Sequence, residues 1–260
     1  MNKYILIFLL FSSSIFAQPQ TKDAPFKVGE WFRFELHYGA LTAGYSTLEI
    51  KNDSINSNRL EVEGKGWTVG MFKWFFKVDD NYKTFMDKET YLPELFKRDV
   101  YEGGYTIKRE IDFLRDIDSA KVYDLKRKRD TIIAISPLTG DMISSFYYAR
   151  TFNSDSLVLN KPLHFDVFMD NEIYKFDLLF LGREKIETKF GVIKCLKFSP
   201  RVQGGRVFKN ENSVMLWVTD DKNKIPIRIK AKLRIGSITI DLDAFKGLKH
   251  TFNVHVGNKQ

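Results

Sequence analysis

The sequence predicts an all-β protein of curved antiparallel meander sheets with one central α-helix. After residue 30, apolar and polar residues alternate over long stretches, which is typical of strands with one buried face. Turn signals such as Asn52-Asp53 and Gly103-Gly104 separate these stretches at short intervals, which favours antiparallel neighbours. We therefore expect an open barrel or a spiral-like sheet, with the helix packed on its concave side.

Five stretches carry the alternation most clearly. In each, the apolar side chains share one face of the predicted strand and charged or polar side chains share the other. The apolar sets are Phe32, Phe34, Leu36 and Tyr38; Leu60 and Val62; Tyr105, Ile107, Ile111 and Phe113; Tyr174, Phe176, Leu178 and Phe180; and Ile225, Ile227, Ile229, Ala231, Leu233 and Ile235. The last strand carries a basic row on its other face, formed by Arg228, Lys230, Lys232 and Arg234.

The helix is predicted at residues 137–150. Thr139 or Asp141 can cap its start. A stripe at helical spacing indicates a face that lies against a sheet, and it consists of Met142, Ile143, Phe146, Tyr147 and Arg150.

The 260 residues divide into a leader and one β-rich domain. Residues 1–17 have the features of a signal peptide: Lys3, a short apolar run over residues 4–11, and a small residue, Ala17, at the expected cleavage site. Because Ile15 is larger than the residue usually found at its position, cleavage elsewhere stays open. Residues 18–260 form the predicted domain, in which lobes 26–135 and 152–245 joined by helix 137–150 could be a duplication.

The net charge of +8 has to be interpreted together with the leader. A basic excess often indicates nucleic acid or an anionic surface as the partner. Export predicts a periplasmic or secreted protein with no nucleic-acid partner and no transmembrane segment in the mature chain. The basic run Lys126-Arg127-Lys128-Arg129 is then a solvated hairpin tip, or a contact with the anionic envelope.

A set of short motifs, in this order and spacing, resembles the exported bacterial family catalogued as domain of unknown function 3108. The resemblance covers about residues 26–242 and implies an exported β-rich protein with no assigned reaction and no catalytic residue to transfer. The motifs are Val28-Gly29-Glu30, Ala43-Gly44, Asp87 with Pro93, Asp141, Ser144, Tyr147, Tyr148, Arg150, residues 188–191, Cys195, residues 217–221, Pro226 and Gly236.

The residues that could carry chemistry do not form a recognised site. Ser144 lies within the predicted helix and outside a nucleophile-elbow motif. Cys195 shares a strand face with Ile193, which predicts burial as a small hydrophobic residue. The four histidines lack metal-ligand spacing, and they are His37, His164, His250 and His255. We expect no catalytic residue, no metal and no cofactor.

An unusual density of aromatic residues occurs around position 70. If residues 72–76 form a strand, Phe72, Trp74 and Phe76 share one face and Phe75 lies on the other. This segment is either a core strand beneath the helix or one wall of an apolar cavity. For the second case, the predicted ligand-binding residues are Trp67, Phe72, Trp74, Phe76 and Tyr147.

Three functions remain open. The first is a non-enzymatic envelope protein that binds an apolar, amphipathic or lipid-like ligand in the concavity of the sheet. The second is an interaction or scaffold protein that docks an envelope partner through the basic row or a sheet edge. The third, a hydrolase using His37, His164 and Ser144, has the least support.

Overall fold

The computed structural model describes residues 24–202, 214–233 and 235–254. The predicted signal peptide, Arg234 and His255 lie outside these ranges. Within them, fourteen strands form one antiparallel sheet. The strands are β1 Trp31–Tyr38, β2 Leu41–Asn52, β3 Arg59–Thr68, β4 Val78–Asp87, β5 Pro93–Glu102, β6 Tyr105–Leu114, β7 Ser119–Asp124, β8 Arg129–Ala134, β9 Pro162–Met169, β10 Glu172–Thr188, β11 Gly191–Val202, β12 Val214–Thr219, β13 Pro226–Lys232 and β14 Ser237–Lys246.

The first and last strands, β1 and β14, lie side by side within the sheet, and the other strands follow in meanders on either side of them. The order of the strands is β8-β7-β6-β5-β4-β3-β2-β1-β14-β13-β12-β11-β10-β9, so that every two adjacent strands are consecutive in the chain except β1 and β14. Among the described strands the sheet is not closed, and β8 and β9 form its edges. The prediction of an all-β antiparallel meander is thus confirmed.

The chain crosses from one edge to the other through residues 135–161. Gly140 attaches this crossover to β9, since its amide donates to the carbonyl of Asp166 at 2.8 Å and its carbonyl accepts from Phe168 at 2.8 Å. On the other side, Arg115 donates to the carbonyls of Thr139 and Pro93, each at 2.8 Å. The crossover is therefore fixed to both halves of the sheet.

Helix α2, Met142–Arg150, lies in this crossover, within the predicted range 137–150 but with a later start, and it is not the single helix that was predicted. Asp141 is the N-cap: its carboxylate accepts from the amides of Ile143 and Ser144 and from the Thr84 hydroxyl at 2.5 Å. Burial raises the pKa of Asp141, and the three donors oppose that shift. The cap therefore joins the helix start to β4.

The structure corrects the prediction for residues 72–76, because Phe72–Phe75 form a second short helix, α1, and not a strand. Gly70, at φ +54°, turns the chain at the end of β3, and the amide of Phe76 donates to the carbonyl of Phe72 at 2.8 Å. The strand prediction is wrong here because the segment connects β3 to β4 outside the sheet. No neighbouring strand pairs with it to hold an extended conformation. Neither described helix has the length and apolar character needed to cross a bilayer.

Three apolar clusters fill the interior. One joins α2 to strands β2–β7 and is centred on Tyr147, Phe96 and Val62. The second lies beneath β1 and β11–β14 around Phe32, and the third beneath β10–β12 around Phe180. Cys195 is buried in the second cluster, as predicted. Burial, with the nearby charge of Glu184, raises its pKa to about 12, which keeps the thiol protonated at neutral pH.

Gly44 is a position where the sheet requires the absence of a side chain. A β-carbon there would overlap the backbone oxygen of Trp67 on β3, whereas one at Gly66 would meet open space. We expect Gly44→Ala to lower the free energy of unfolding by about 1–3 kcal/mol, because the strands would have to separate. Gly66→Ala, the matched control, should change it by less than about 1 kcal/mol. Urea unfolding of both variants tests this, and equal effects would contradict it.

Candidate functional site

A cavity of about 450 Å³ lies between α2 and strands β9–β13. Its lining is almost entirely apolar. The side chains come from α2 and the segment after it (Met142, Ser145, Phe146, Ala149, Arg150, Phe152, Ser154 and Leu157), from the sheet (Leu163, Phe165, Val167, Met169, Tyr174, Phe176, Leu178, Leu196, Phe198, Pro200, Val202, Leu216, Val218 and Ile229) and from the β12–β13 turn (Lys224).

The shape of the cavity follows from strand geometry. Residues two apart share one face of a strand, so Leu163, Phe165, Val167 and Met169 all point from β9 into the same space. These six residue steps span roughly 20 Å along the strand at about 3.3 Å per residue. The cavity is therefore long as well as apolar, and α2 covers it from one side.

One buried ion pair stabilises the end of α2 beside this cavity. Arg150 donates to both carboxylate oxygens of Glu30, at 2.6 and 2.8 Å, and to the carbonyl of Asn223 at 2.9 Å. Both side chains are almost fully buried, at 2% and 0% exposure. The guanidinium also lies 5.2–5.7 Å from four ring centroids, those of Phe26, Phe32, Phe146 and Tyr147. Glu30 therefore neutralises the charge of Arg150 inside the protein.

Lys224 is the other cationic residue of the cavity lining. It follows Asn223 in the β12–β13 turn with a left-handed backbone, φ +48°. Burial, together with repulsion from Arg150, lowers the pKa of Lys224, while the carboxylates of Asp221 and Asp155 oppose that shift. Lys224 lies in the turn at one end of β12 and β13, and with Arg150, Ser145 and Ser154 it is one of the few polar residues in a lining that is otherwise apolar.

None of the five predicted ligand-binding residues lines this cavity. Tyr147 lies in the first core cluster, where burial and then the charge of Glu30 raise its pKa. Trp67 lies on β3 beside the ring of Tyr45, with centroids 6.1 Å apart. Phe72, Trp74 and Phe76 belong to α1 or its end, and Trp74 is 88% exposed.

The sequence did contain a signal for the actual lining. The alternation of Tyr174, Phe176 and Leu178 predicts an apolar strand face. The alternation along a strand shows that these side chains lie on one face of the sheet. It does not show whether another layer packs against that face.

Most of the chain matches one protein family. The model described as protein of unknown function DUF3108 matches residues 33–243. The chain belongs to this family. No curated protein matches it.

Solved structures show the fold of this DUF3108 chain. A β-barrel-like protein of domain of unknown function DUF1849 from Brucella abortus superposes with a TM-score of 0.59 at 9% identity, covering 87% of this chain and 100% of that one. A candidate exported protein with a YmcC-like fold from Bacteroides fragilis (TM-score 0.37, 9% identity, 85% and 97% coverage) and a candidate lipoprotein from Parabacteroides distasonis (0.33, 12%, 85% and 97%) are too distant to support an argument. The first match supports a barrel-like fold and nothing about activity.

In the DUF3108 chain, the motif residues that carried the resemblance make structural contacts. Glu30 and Arg150 form the buried ion pair, and Asp141 and Ser144 cap α2. Asp87 accepts from the amides of Glu89 and Thr90 in the β4–β5 turn. Asp221 accepts from the amides of Asn223 and Lys224 in the β12–β13 turn. These motif residues thus stabilise the crossover and two of the turns.

The residues of the hydrolase hypothesis are dispersed. The Ser144 hydroxyl accepts from the amide of Asp141 at 2.9 Å within the capping box. His37 lies on β1 and His164 on β9, six positions apart in the sheet order, and His164 pairs with Asp177 at 2.7 Å. Among the described residues, no group of three or more His, Cys, Asp or Glu side chains is arranged to hold a metal.

Proposed function

We propose that this protein is a non-enzymatic envelope protein that holds an apolar or amphipathic molecule in the cavity between α2 and strands β9–β13. The single observation that supports this most is the cavity itself. Its volume of about 450 Å³ falls within the range of small-molecule sites, and its lining is apolar along its length. The leader at residues 1–17 supports the envelope as its location.

Packing physics favours an occupant over an empty space. The cavity is partly open, so its apolar walls contact water when no ligand is bound. An alkyl chain would make dispersion contacts with those walls and gain about 0.8 kcal/mol for each methylene removed from water. A long acyl or alkyl chain matches the length of the cavity, and a polar head group could lie beside Lys224.

The test uses the purified chain stripped of lipid. We expect N-phenyl-1-naphthylamine, a neutral dye whose fluorescence rises in apolar surroundings, to bind saturably at one site. Palmitic acid and hexadecan-1-ol should displace it competitively. Solvent extraction of chain that has not been stripped should release lipid. Several preparations that release none, together with no saturable dye binding, would contradict the proposal.

The alternative, docking of a protein partner through the basic row of β13, has weaker support. Arg228 is paired with Asp241 at 2.5 Å, so its charge is already compensated on β14. Lys230 and Lys232 remain as exposed cations on this strand. The exposed charges of these two lysines are the observation that supports this alternative.

A further inference from the structure

One end of the sheet collects exposed aromatic and aliphatic side chains. In an antiparallel meander, successive connections alternate between the two ends. The β1–β2, β3–β4, β5–β6, β7–β8 and β13–β14 connections therefore lie at the same end, consistent with the pairing of Tyr38 with Ile238 across β1 and β14. We name this the aromatic end; it comprises residues 38–41, 69–77, 101–105 and 125–128 together with Leu233, Ile235 and Gly236.

The exposure at this end is unusual. Trp74 and Phe75 are 88% and 83% exposed, and Ile235 is 77% exposed. Of the nineteen large hydrophobic side chains exposed among the described residues, eleven lie here: Tyr38, Leu41, Met71, Trp74, Phe75, Phe76, Tyr101, Tyr105, Leu125, Leu233 and Ile235. Concentrated apolar surface of this kind marks a place where a protein meets a membrane or a partner.

The side chains are held in place by neighbouring hairpins. The Tyr38 ring packs edge-on against Phe72, with centroids 6.4 Å apart, and its hydroxyl donates to the carbonyl of Ile235 at 3.2 Å. Phe76 packs directly against Gly103 of the β5–β6 turn, where a β-carbon would overlap the Phe76 ring. Thr68 fixes the base of α1, since its hydroxyl accepts from the amide of Val78 at 2.9 Å. Separate connections thus form one continuous surface.

Basic side chains surround this apolar surface. Lys73 and Lys77 flank Trp74 and Phe75, and the basic run of residues 126–129 forms the tip of the β7–β8 hairpin; all of these cations are exposed. Acidic side chains also lie at this end. Asp124 pairs with Arg109, Asp170 with Arg98 and Asp130 with Lys121, whereas Asp79, Asp80 and Glu102 lie at the start of β4 and the end of β5. The exposed rings therefore lie beside exposed cations at two hairpin tips, Lys73 and Lys77 at one and residues 126–129 at the other.

We propose that the aromatic end docks on the surface of a bilayer containing anionic phospholipids. Trp74 and Phe75 would enter the interfacial region, and the surrounding lysines and arginines would contact the head groups. Aromatic rings are favoured at the membrane–water interface, and basic residues near it are attracted to anionic lipid. The cores of protein–protein interfaces are instead depleted in lysine, so the mixture of exposed rings and lysines favours lipid over protein.

The inference goes beyond the proposed function, because surface docking does not require the cavity to be filled. The two are also related in space. The cavity extends along β9–β11 to Met169, Tyr174 and Val202, which lie at the end of the sheet where β9 connects to β10. By the same alternation, the β9–β10 connection lies at the same end of the sheet as the aromatic end. A bilayer at this surface would lie next to that end of the cavity.

Vesicle co-sedimentation tests the proposal. We expect the purified chain to sediment with vesicles of phosphatidylglycerol and phosphatidylcholine, to bind pure phosphatidylcholine at least ten-fold more weakly, and to lose binding in high salt. Trp74→Ser/Phe75→Ser should weaken binding to the anionic vesicles at least ten-fold. Lys126→Glu/Lys128→Glu should also weaken binding to the anionic vesicles.

The matched control is Ile55→Ser/Ile117→Ser, which removes two exposed apolar side chains from the opposite end of the sheet. It should bind vesicles as the unchanged chain does. Because all the substituted side chains are exposed, each variant should keep its melting temperature. Absence of vesicle binding, equal binding to both lipids, an equal loss in the control, or capture of a protein without vesicle binding would each overturn the proposal.

Discussion

Replacing Arg150 with methionine should lower the free energy of unfolding by about 3–5 kcal/mol. The substitution leaves the Glu30 carboxylate at 0% exposure without its bidentate partner, and it removes the donor to the carbonyl of Asn223. Removing one partner of a buried ion pair leaves an uncompensated charge, which strongly lowers the free energy of unfolding. Replacing both partners with apolar side chains of similar size changes it much less. Denaturant unfolding followed by tryptophan fluorescence measures the change.

The control removes both charges. Glu30→Gln/Arg150→Met replaces the pair with neutral side chains of similar size, so it should recover most of the lost stability. Arg150→Lys should recover only a part, because a lysine cannot donate to two carboxylate oxygens and a backbone carbonyl in one plane. A double variant no more stable than Arg150→Met would contradict this account of the ion pair.

Ala149→Trp should reduce the affinity for the neutral dye by ten-fold or more, which is about 1.4 kcal/mol of binding free energy. Ala149 lies on α2 and faces the cavity, so an indole at that position would occupy the space proposed for the ligand. Because the side chain enters an existing void, the free energy of unfolding should stay unchanged or rise slightly. Fluorescence titration and urea unfolding of the same sample separate the two effects.

The control for this variant is Thr131→Trp, the same replacement on the exposed strand β8. It should leave dye affinity unchanged. If Ala149→Trp binds the dye as tightly as the unchanged chain, the ligand does not occupy this cavity. Vesicle binding should be the same in both variants, because neither residue belongs to the aromatic end. This separates failure of the cavity proposal from failure of the docking proposal.

The fold was largely predictable because its signals are local. Alternation placed Phe32 and Phe34 on the inner face of β1 and Ile107, Ile111 and Phe113 on that of β6, and all five are buried. The α2 helix was readable from Asp141 and a stripe at helical spacing. By contrast, residues 72–76 were predicted as a strand because their composition suits one, but the turn at Gly70 places them beyond the sheet, where α1 forms.

The position of the cavity was not readable from the sequence. The aromatic segment near residue 70 was either a core strand or one wall of an apolar cavity, and the cavity in the structure is lined by residues of α2 and β9–β13. Trp74 and Phe75 attract attention in the sequence because they are bulky and clustered. Their location at a hairpin tip makes them exposed, and their proposed role becomes contact with a bilayer.

The sequence by itself determined the strand faces, the turns, the capped helix and the DUF3108 motifs, because each depends on residues close together in the chain. Only the tertiary structure decided that Glu30 contacts Arg150, that the crossover connects the two sheet edges, and that a cavity lies between α2 and β9–β13. Those facts depend on how distant segments approach one another in three dimensions, and periodicity along a single strand does not specify that approach.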